Sequence, residues 1–268
     1  MSGILYLVGT PIGNLGDITF RAVETLKSAD IVACEDTRHT LGLLNALSVK
    51  KPLMSYYKQK EKEGSQKILR LLEEGKNVAL VSDAGMPCVS DPGAVVVKEA
   101  KERGYTVTVV PGPNAAVSAV ALCGIETGFT FVGFLPEKNK ERKELLASYA
   151  DSSFPLVFYV APHDLLKTES YLFDQLGKRK FFAVKEITKI YEDVTEGELG
   201  SGALPDDPKG EYVFIVMPKE KKEATDEDIL AELKAEMALG IDKRSAVIVT
   251  ARMLRVSENR TYKLSLTL

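Results

Sequence analysis

The sequence predicts an α/β protein with two sheet-containing domains and a small helical appendix. Through the first half of the 268 residues, short apolar runs rich in β-branched residues alternate with helical patterns, which is typical of a parallel sheet covered on both faces. In the second half strand-like runs follow one another more closely, which favours a mixed sheet. We therefore predict an N-terminal domain over residues 1–124, a second α/β domain over 128–218 and the appendix over 224–268.

The elements of the first half follow in regular order. A helix follows the first strand, because Ile18, Ala22 and Leu26 fall on one face, and Asp17 is placed to cap it. A later helix runs from about residue 93 to residue 103 and ends at Gly104. The predicted strands begin at Ile4, Ile31, Leu53, Val78 and Thr106.

The second half predicts further strands and a charged C-terminal end. Two helical patterns cover residues 139–149 and 163–176. In the appendix six basic residues stand against two acidic ones over residues 242–268, and a turn at Val256 separates two short helices, with Ser257 as the cap of the second. The predicted strands cover residues 129–134, 156–160, 181–185 and 212–217, with an extended segment at 190–199.

Composition limits the classes of function. No apolar run approaches the roughly 20 residues needed to span a bilayer, and the start lacks the basic and long apolar segments of a signal peptide, so we expect a cytoplasmic protein. Cys34, Cys88 and Cys123 form no Cys-x-x-Cys pair, and there are two histidines, so no disulfide framework and no metal site are expected. A net charge of −3 leaves a nucleic-acid partner open.

Three predicted strands run into loops of similar character. Residues 78–81 lead into a loop with two prolines, two glycines and two aspartates, which is more than a turn requires. The strand at Ile4 leads into residues 9–14, and the strand at Thr106 leads into residues 111–114, both rich in Gly and Pro. Because ligands of open α/β sheets bind beyond the carboxyl ends of the strands, the three loops indicate one pocket.

Two of these segments have a structural alternative. The pair Gly9 and Gly13 allows close backbone approach to a ligand, or it makes a plain strand-to-helix turn. A nicotinamide oxidoreductase is the alternative function, in which Glu35 or Asp36 would bind a ribose hydroxyl of the cofactor. The segment lacks the Gly-x-Gly-x-x-Gly motif of that class, which disfavours this alternative. Residues 35–39 combine two acids, a guanidinium and an imidazole, which can orient a hydroxyl, take its proton and neutralise a phosphate. In the alternative they form a helix N-terminus, with Asp36 or Thr37 as the cap and Arg38 paired with an acid.

Basic side chains cluster in three places. Residues 138–143 and 178–180 are interpreted as solvated faces, with contact to phosphates of a nucleic acid as the alternative. The basic part of the appendix, residues 242–268, is the better candidate for such contacts.

Four stretches closely resemble the ribosomal RNA small-subunit methyltransferase I family of tetrapyrrole-methylase-like enzymes. They are residues 5–19, 35–40, 81–93 and 111–115, and the resemblance extends over residues 1–217. It implies a two-domain tetrapyrrole-methylase-like fold, S-adenosylmethionine bound between the domains, and a homodimer. It also implies methylation of a ribose 2′-hydroxyl on a decoding-centre cytidine of small-subunit (16S) ribosomal RNA, with the assembled small subunit as the expected partner.

The resemblance also implies site residues. Asp36 or Glu35 would take the hydroxyl proton or orient the ribose, Arg38 would hold a flanking phosphate, and Asp83 would position either substrate. The chain departs from the family pattern at Met86, Val160 and Asp164. Cofactor contacts are implied for Pro11, Ser82, Asp83, Ala84, Gly85, Val89, Ser90, Asn114, Ala115, Tyr159, Val160, Glu211, Tyr212 and Val213.

Two alternatives within the same fold stay open beside this reading. One is a methylase of a small or protein substrate, against which residues 35–38 argue. The other is a non-catalytic RNA-binding relative, which the departures near Val160 keep open.

Overall fold

The computed structural model describes residues 2–220 and 224–268. It divides into two compact units, the first ending at Lys219 and the second running over Glu220–Leu268. Both sheets lie in the first unit, and the division of that unit near residues 124–128 stays a prediction. Within the described ranges, no helix combines the length and the apolar character that crossing a bilayer needs.

The first sheet is parallel, as predicted. It contains β1 (Ile4–Val8), β2 (Ile31–Cys34), β3 (Leu53–Ser55), β4 (Val78–Leu80) and β5 (Thr106–Val110). Their spatial order is β3-β2-β4-β1-β5, so all carboxyl ends lie at one edge. The helices between and after these strands are α1 (Phe20–Ser28), α2 (Thr37–Ala46), α3 (Glu61–Glu73), α4 (Ala94–Glu102) and α5 (Ala115–Leu122).

Apolar residues of this sheet pack on both of its faces. Val32 and Cys34 belong to one core cluster and Ala33 to the other, because successive side chains of a strand point to opposite faces. A strand buried on both faces has an unbroken apolar sequence, which explains why β2 and β4 show no polar alternation.

The second sheet is mixed, as predicted. Its strands are β6 (Thr130–Gly133), β7 (Leu156–Val160), β8 (Lys180–Lys185), β9 (Asp193–Glu198) and β10 (Tyr212–Val216), in the order β6-β7-β10-β8-β9. Only β6 and β7 pair in parallel, and the other neighbours are antiparallel. The helices α6 (Asn139–Tyr149) and α7 (Leu165–Leu176) follow β6 and β7. In the core, Phe181 stacks on Phe214 with ring centroids 4.9 Å apart.

The C-terminal unit is helical, as predicted, and has its own small core. Its helices are α8 (Asp226–Ala238), α9 (Lys243–Leu254) and α10 (Glu258–Ser265). Thr225 and Asp242 cap α8 and α9, and Ser257 caps α10 as expected. Arg255 ends α9 in the left-handed region, with φ 54°. Ile229, Leu233, Ala246 and Val247 are buried together.

The predicted capping role of Asp17 is wrong. Thr19 caps α1, because its hydroxyl accepts the backbone N–H of Ala22 at 3.0 Å. Asp17 lies earlier, in a 3₁₀ turn (Leu15–Asp17) that Asn14 caps. This additional turn moves the start of the helix beyond Asp17.

The expectation of a solvated face for residues 178–180 is wrong at Arg179. Its side chain is 5% exposed, and its guanidinium donates to the carbonyls of Leu176, at 3.2 Å, and Ala150. Both carbonyls lie at the C-terminal ends of α7 and α6, where the helix itself provides no donor. The neighbouring Lys178 is 75% exposed.

Candidate active site

A cavity of about 460 Å³ lies between the loops of the first sheet and strands β7, β8 and β10 of the second. The loops after β1, β4 and β5, called the first, second and third motif loops below, all reach it. They do so through Ile12, residues 83–91 and Asn114. Its volume lies within the range of about 300–1,000 Å³ common for small-molecule sites. The single pocket expected at the ends of these strands is therefore present.

Most of the site residues implied by the resemblance line this cavity. Pro11 and Ser82 do not line it, and neither do Asp36 and Arg38. The implied residues on the lining are Glu35, Asp83, Ala84, Gly85, Val89, Ser90, Asn114, Ala115, Tyr159, Val160, Glu211, Tyr212 and Val213.

Backbone contacts hold the first two motif loops together. The N–H of Thr10 donates to the carbonyl of Gly85 at 2.9 Å, and the N–H of Gly85 donates back to Thr10 at 3.1 Å. Gly85 has φ 76°, which favours glycine. The hydroxyl of Thr10 donates to the carbonyl of Ser82, and Ser82 itself donates to the carbonyl of Ala84. Ser82 thus stabilises the loop from within.

The first and third loops touch backbone to backbone. A Cβ atom on Gly9 would lie 2.7 Å from the Cα of Gly112 and 2.7 Å from the sulfur of Met86. No side chain fits there without moving a main chain. Gly9 therefore serves close packing between two loops, in addition to the turn that the sequence suggested.

The loop after β4 contains two residues with strained backbone conformations, and a hydrogen bond from Gly93 to Glu61 holds its end. Cys88 and Ser90 have φ 69° and 66°, a conformation that costs an L-residue about 1–2 kcal/mol. The carboxylate of Glu61 accepts the N–H of Gly93 at 2.8 Å and the hydroxyl of buried Tyr56 at 3.2 Å. Glu61 therefore fixes the end of this loop. Nothing in the sequence indicated that role, because Glu61 lies in an ordinary charged segment.

Asp36 and Arg38 are bound to each other. Asp36 caps α2 by accepting the N–H of Arg38, and its other oxygen pairs with the guanidinium at 2.8 Å. These contacts lower the pKa of Asp36 to about 2. The N–H of Asp36 donates to Asp83 at 3.1 Å, so the capped turn also orients Asp83. The helix-capping alternative thus describes Asp36, and the Arg38 side chain is 90% exposed.

Two cavity carboxylates have raised pKa values. Burial raises the pKa of Glu35, the charge of Asp83 adds to this, and Lys58 opposes it. Burial, with the charges of Glu35 and Asp83, raises the pKa of Asp91 to about 6. Asp91 was not among the expected site residues, although it lies in the loop whose composition stood out.

The second sheet contributes a charged group and an aromatic wall that no motif indicated. Lys189 pairs with Glu186 and Glu211, both at 2.8 Å. Phe134 meets Tyr159 edge to face, with ring centroids 5.5 Å apart. Further lining residues absent from the expected set are Ile12, Met86, Ala161, Pro162, Val184 and Ile187.

Thr188, in the loop between β8 and β9, is hydrogen-bonded to the segment that follows β1. The side-chain amide of Asn14 donates to the carbonyl of Thr188 at 3.3 Å, and the hydroxyl of Thr188 donates to Asp17. Thr188 has φ 66°. Loops 11–17 and 186–192 thus meet beside the cavity.

The charge of the lining is strongly negative. Counted over the described residues, it contains five carboxylates and one ammonium group, that of Lys189. Among the residues that the structure describes, no group of three or more His, Cys, Asp or Glu side chains is arranged to hold a metal ion. An acidic, partly apolar cavity suits a cationic organic ligand better than a pyrophosphate.

The fold and this cavity define a class of methyltransferases. The family model of the Tetrapyrrole (Corrin/Porphyrin) Methylases matches residues 4–202. Diphthine synthase superimposes with a TM-score of 0.65 at 15% identity, covering 81% of this chain and 90% of that one. Uroporphyrin-III C-methyltransferase from Thermus thermophilus gives a TM-score of 0.56 at 22% identity, covering 80% and 94%. These likenesses show the fold.

Closer relatives define the family within this class. The chain is 39% identical to the Ribosomal RNA small subunit methyltransferase I of Synechocystis sp., covering 99% of this chain and 98% of the relative. Its counterpart in Haemophilus influenzae is 38% identical, covering 99% and 97%, and that of Bacillus subtilis is 43% identical, covering 84% and 79%. The chain belongs to the ribosomal RNA small subunit methyltransferase I family. The family resemblance and the fold class expected from the sequence are thereby confirmed.

Proposed function

We propose that this chain transfers a methyl group from S-adenosylmethionine to the ribose 2′-hydroxyl of a decoding-centre cytidine in small-subunit (16S) ribosomal RNA. The main support is the cavity that the motif loops share, in a chain similar to small-subunit ribosomal RNA methyltransferases over its whole length. We further propose that it acts in the cytoplasm, as a homodimer, on the assembled small subunit.

The cavity fits S-adenosylmethionine by its chemistry. Five carboxylates against one ammonium favour a ligand with positive charge, and the same excess disfavours the pyrophosphate of a nicotinamide cofactor. Val160, Val213 and the ring of Tyr159 provide apolar surface. When bound, S-adenosylmethionine supplies a methyl group on a positively charged sulfur that leaves as a neutral thioether.

The residues proposed to hold the cofactor come from both sheets. From the first sheet they are the loop at residues 83–90 and the turn at Asn114 and Ala115. From the second they are Tyr159 with Val160, and residues 211–213. Because paired backbone bonds and tight glycine contacts fix the first-sheet loops, the ligand finds a preorganised surface.

Glu35, Asp83 and Arg38 are the residues proposed to contact the RNA. Glu35 and Asp83 line the cavity and can orient a ribose hydroxyl. Arg38 is exposed beside them, so it can exchange its pairing with Asp36 for a flanking phosphate. Methyl transfer from a sulfonium is an in-line displacement, so alignment and removal of the hydroxyl proton are the main tasks left to the protein.

RNA binding by an acidic protein needs localised positive charge. We propose residues 242–268 as the main such surface and residues 138–143 as a second one. In the second, Lys138 and Lys140 are exposed but paired with Glu141 and Glu144, and Arg142 lies 5.1 Å from the ring of Tyr171. Those pairings reduce the positive charge that this segment presents, so we expect the larger contribution from the appendix.

Two measurements test this function. Calorimetry with S-adenosylmethionine, S-adenosylhomocysteine and NAD should show saturable binding of the two sulfur compounds only. Labelled methyl transfer to small ribosomal subunits that lack the modification should yield 2′-O-methylcytidine after digestion to nucleosides, with large subunits as the control.

The other outcomes separate the alternatives. A labelled base would contradict the ribose assignment, and binding of NAD alone would overturn the class of cofactor. Cofactor binding with labelling of a tetrapyrrole or a protein, but not of ribosomal RNA, would favour the methylase of another substrate. Binding to small subunits without any transfer would favour a non-catalytic relative.

A further inference from the structure

Four carboxylates meet at the carboxyl edge of the first sheet, and they differ in their partners. Asp36 is occupied by the cap of α2 and by Arg38, and it lies outside the cavity lining. Asp83 lines the cavity but accepts the N–H of Asp36. Glu35 and Asp91 line the cavity, and neither has a hydrogen-bond or ion-pair partner in the described part of the chain.

Among the described residues, the charged groups that act on Asp91 are acids. Glu35, after β2, and Asp83, after β4, act on it as like charges. Cys88 of its own loop and Tyr159 of β7 are its other titratable neighbours. Lys58 acts on Glu35, where it favours the anion. The like charges of Glu35 and Asp83 therefore favour the protonated form of Asp91.

Asp91 is also held firmly in place. It follows Ser90, which has φ 66° and whose hydroxyl lies against the end of β6, since a Cβ on Gly133 would come 2.8 Å from that oxygen. Two residues later, Gly93 is fixed by Glu61. The carboxylate therefore stands on a braced loop, between the acids of the first sheet and Tyr159 of the second.

A general base works best when its pKa lies near the working pH. Asp91, with a pKa of about 6, is ionised at neutral pH yet still basic enough to share a proton. Asp36, with a pKa of about 2, is a much weaker acceptor. Position on the lining without a partner leaves Glu35 and Asp91 as candidates, and the pKa near neutral pH favours Asp91.

We propose that Asp91 is the catalytic residue that accepts the proton of the attacking ribose hydroxyl, an inference that rests on the proposed function. The hydroxyl oxygen uses a lone pair to form the bond to the methyl carbon. The carbon–sulfur bond breaks, and its electron pair goes to sulfur. The hydroxyl proton passes to a carboxylate oxygen of Asp91, and from there to solvent. In this scheme Glu35 and Asp83 keep Asp91 basic and orient the ribose.

The first test is the isosteric variant Asp91→Asn. Methyl transfer at saturating substrates should fall by about 10²–10⁴-fold, the usual contribution of a general base. The affinity for small subunits, measured by filter binding, should stay within about twofold. The affinity for S-adenosylmethionine, measured by calorimetry, should fall far less than the rate, because Asp91 is one of five carboxylates on the lining. Asp174→Asn, on the exposed side of α7, is the matched control and should keep the original rate.

The second test measures the protonation of the Asp91 carboxyl group directly. Infrared titration of the protein alone should show a carboxylic-acid band that disappears as the pH rises through about 6 and is missing in Asp91→Asn. In Glu35→Gln the loss of one like charge favours the Asp91 anion, so its pKa falls. The acid limb of the methyl-transfer profile and the infrared transition should then both move to lower pH.

Several results would overturn the inference. They are an unchanged rate in Asp91→Asn, a rate loss fully explained by lost cofactor or RNA affinity, or a titration that Asp91→Asn leaves intact. Failure of the unaltered protein to methylate small subunits would instead contradict the proposed function, and the infrared titration would still decide whether Asp91 holds the proton.

Discussion

Neighbouring acids of the motif at residues 35–38 have different tasks because their local contacts differ. Asp36 has the backbone position of a helix cap, so its carboxylate turns back onto α2 and Arg38. Glu35, one residue earlier, directly follows β2 and lines the cavity. The sequence places both at a strand end, but only the capping geometry shows which of them can reach a ligand.

Asp91 should lower the stability of the folded protein above about pH 6. Its pKa is raised in the folded state from 3.8 to about 6, so the folded chain binds the proton more tightly and loses stability as the pH rises through that window. Asp91→Asn should remove this loss. The gain in unfolding free energy of the variant over the original chain should therefore be about 1–3 kcal/mol larger at pH 8 than at pH 3.5. Urea unfolding at both pH values measures the difference. Equal effects of the substitution at both would contradict a raised pKa.

The close contact of Gly9 makes a second residue-level prediction. In Gly9→Ala the added methyl group meets the backbone of Gly112, so one loop must move. We expect the affinity for S-adenosylmethionine to fall at least tenfold, which is about 1.4 kcal/mol, because the loops lose their preorganised positions. Gly42→Ala is the control, since α2 has open space there and a helical alanine is favoured by about 0.5–1 kcal/mol. Unaltered calorimetric binding by Gly9→Ala would show that the two loops adjust freely.

At the scale of elements, periodicity predicted most of what forms. The alternation of apolar runs and helical patterns corresponds to the parallel sheet, and the closer spacing of strands corresponds to the mixed one. Arg179 lay beyond such reasoning, because a buried arginine between Lys178 and Lys180 has the local sequence of a surface. Its burial depends on two helix ends that come together only in the folded chain.

Arg179 should therefore contribute to the stability of the second sheet and its helices. Arg179→Ala leaves the carbonyls of Leu176 and Ala150 without this donor and opens a cavity, which should cost about 2–4 kcal/mol of unfolding free energy. Lys178→Ala removes only an exposed ion pair with Glu198 and should cost less than about 1 kcal/mol. Chemical denaturation of both variants makes the comparison. A similar small loss in the two would mean that the guanidinium contacts add no net stability.

At the scale of the molecule, the two halves of the cavity differed in how well the sequence predicted them. The first-sheet side consists of loops with distinctive Gly, Pro and Asp content, and those loops do line the site. The second-sheet side includes Phe134, Glu186 and Lys189, which come from ordinary strand ends and turns. They become neighbours because strands far apart in the chain pair with each other. A short stretch of sequence does not predict which strands pair.

The basic appendix offers a prediction for the whole chain. Its helices share one small core, so neutralising exposed charges is a cleaner test than truncating the unit at residue 242. Replacing Lys243, Arg244, Arg252 and Arg255 by Gln should weaken binding to small subunits and lower the slope of log affinity against log salt by about 0.7–0.9 per lost phosphate contact. Lys98→Gln with Lys101→Gln on α4 is the control pair. A salt slope unchanged by the four substitutions would remove the appendix from the RNA interface.

The contacts of Thr188 have a consequence for local stability. Loops 11–17 and 186–192 are joined beside the cavity by its carbonyl and its hydroxyl, two hydrogen bonds exposed to water. Such bonds contribute about 0.5–1.5 kcal/mol each, far less than global unfolding requires. Local separation of the two loops should therefore cost less free energy than global unfolding, and the packing of Lys189 on Gly13 should oppose it beside the two hydrogen bonds of Thr188.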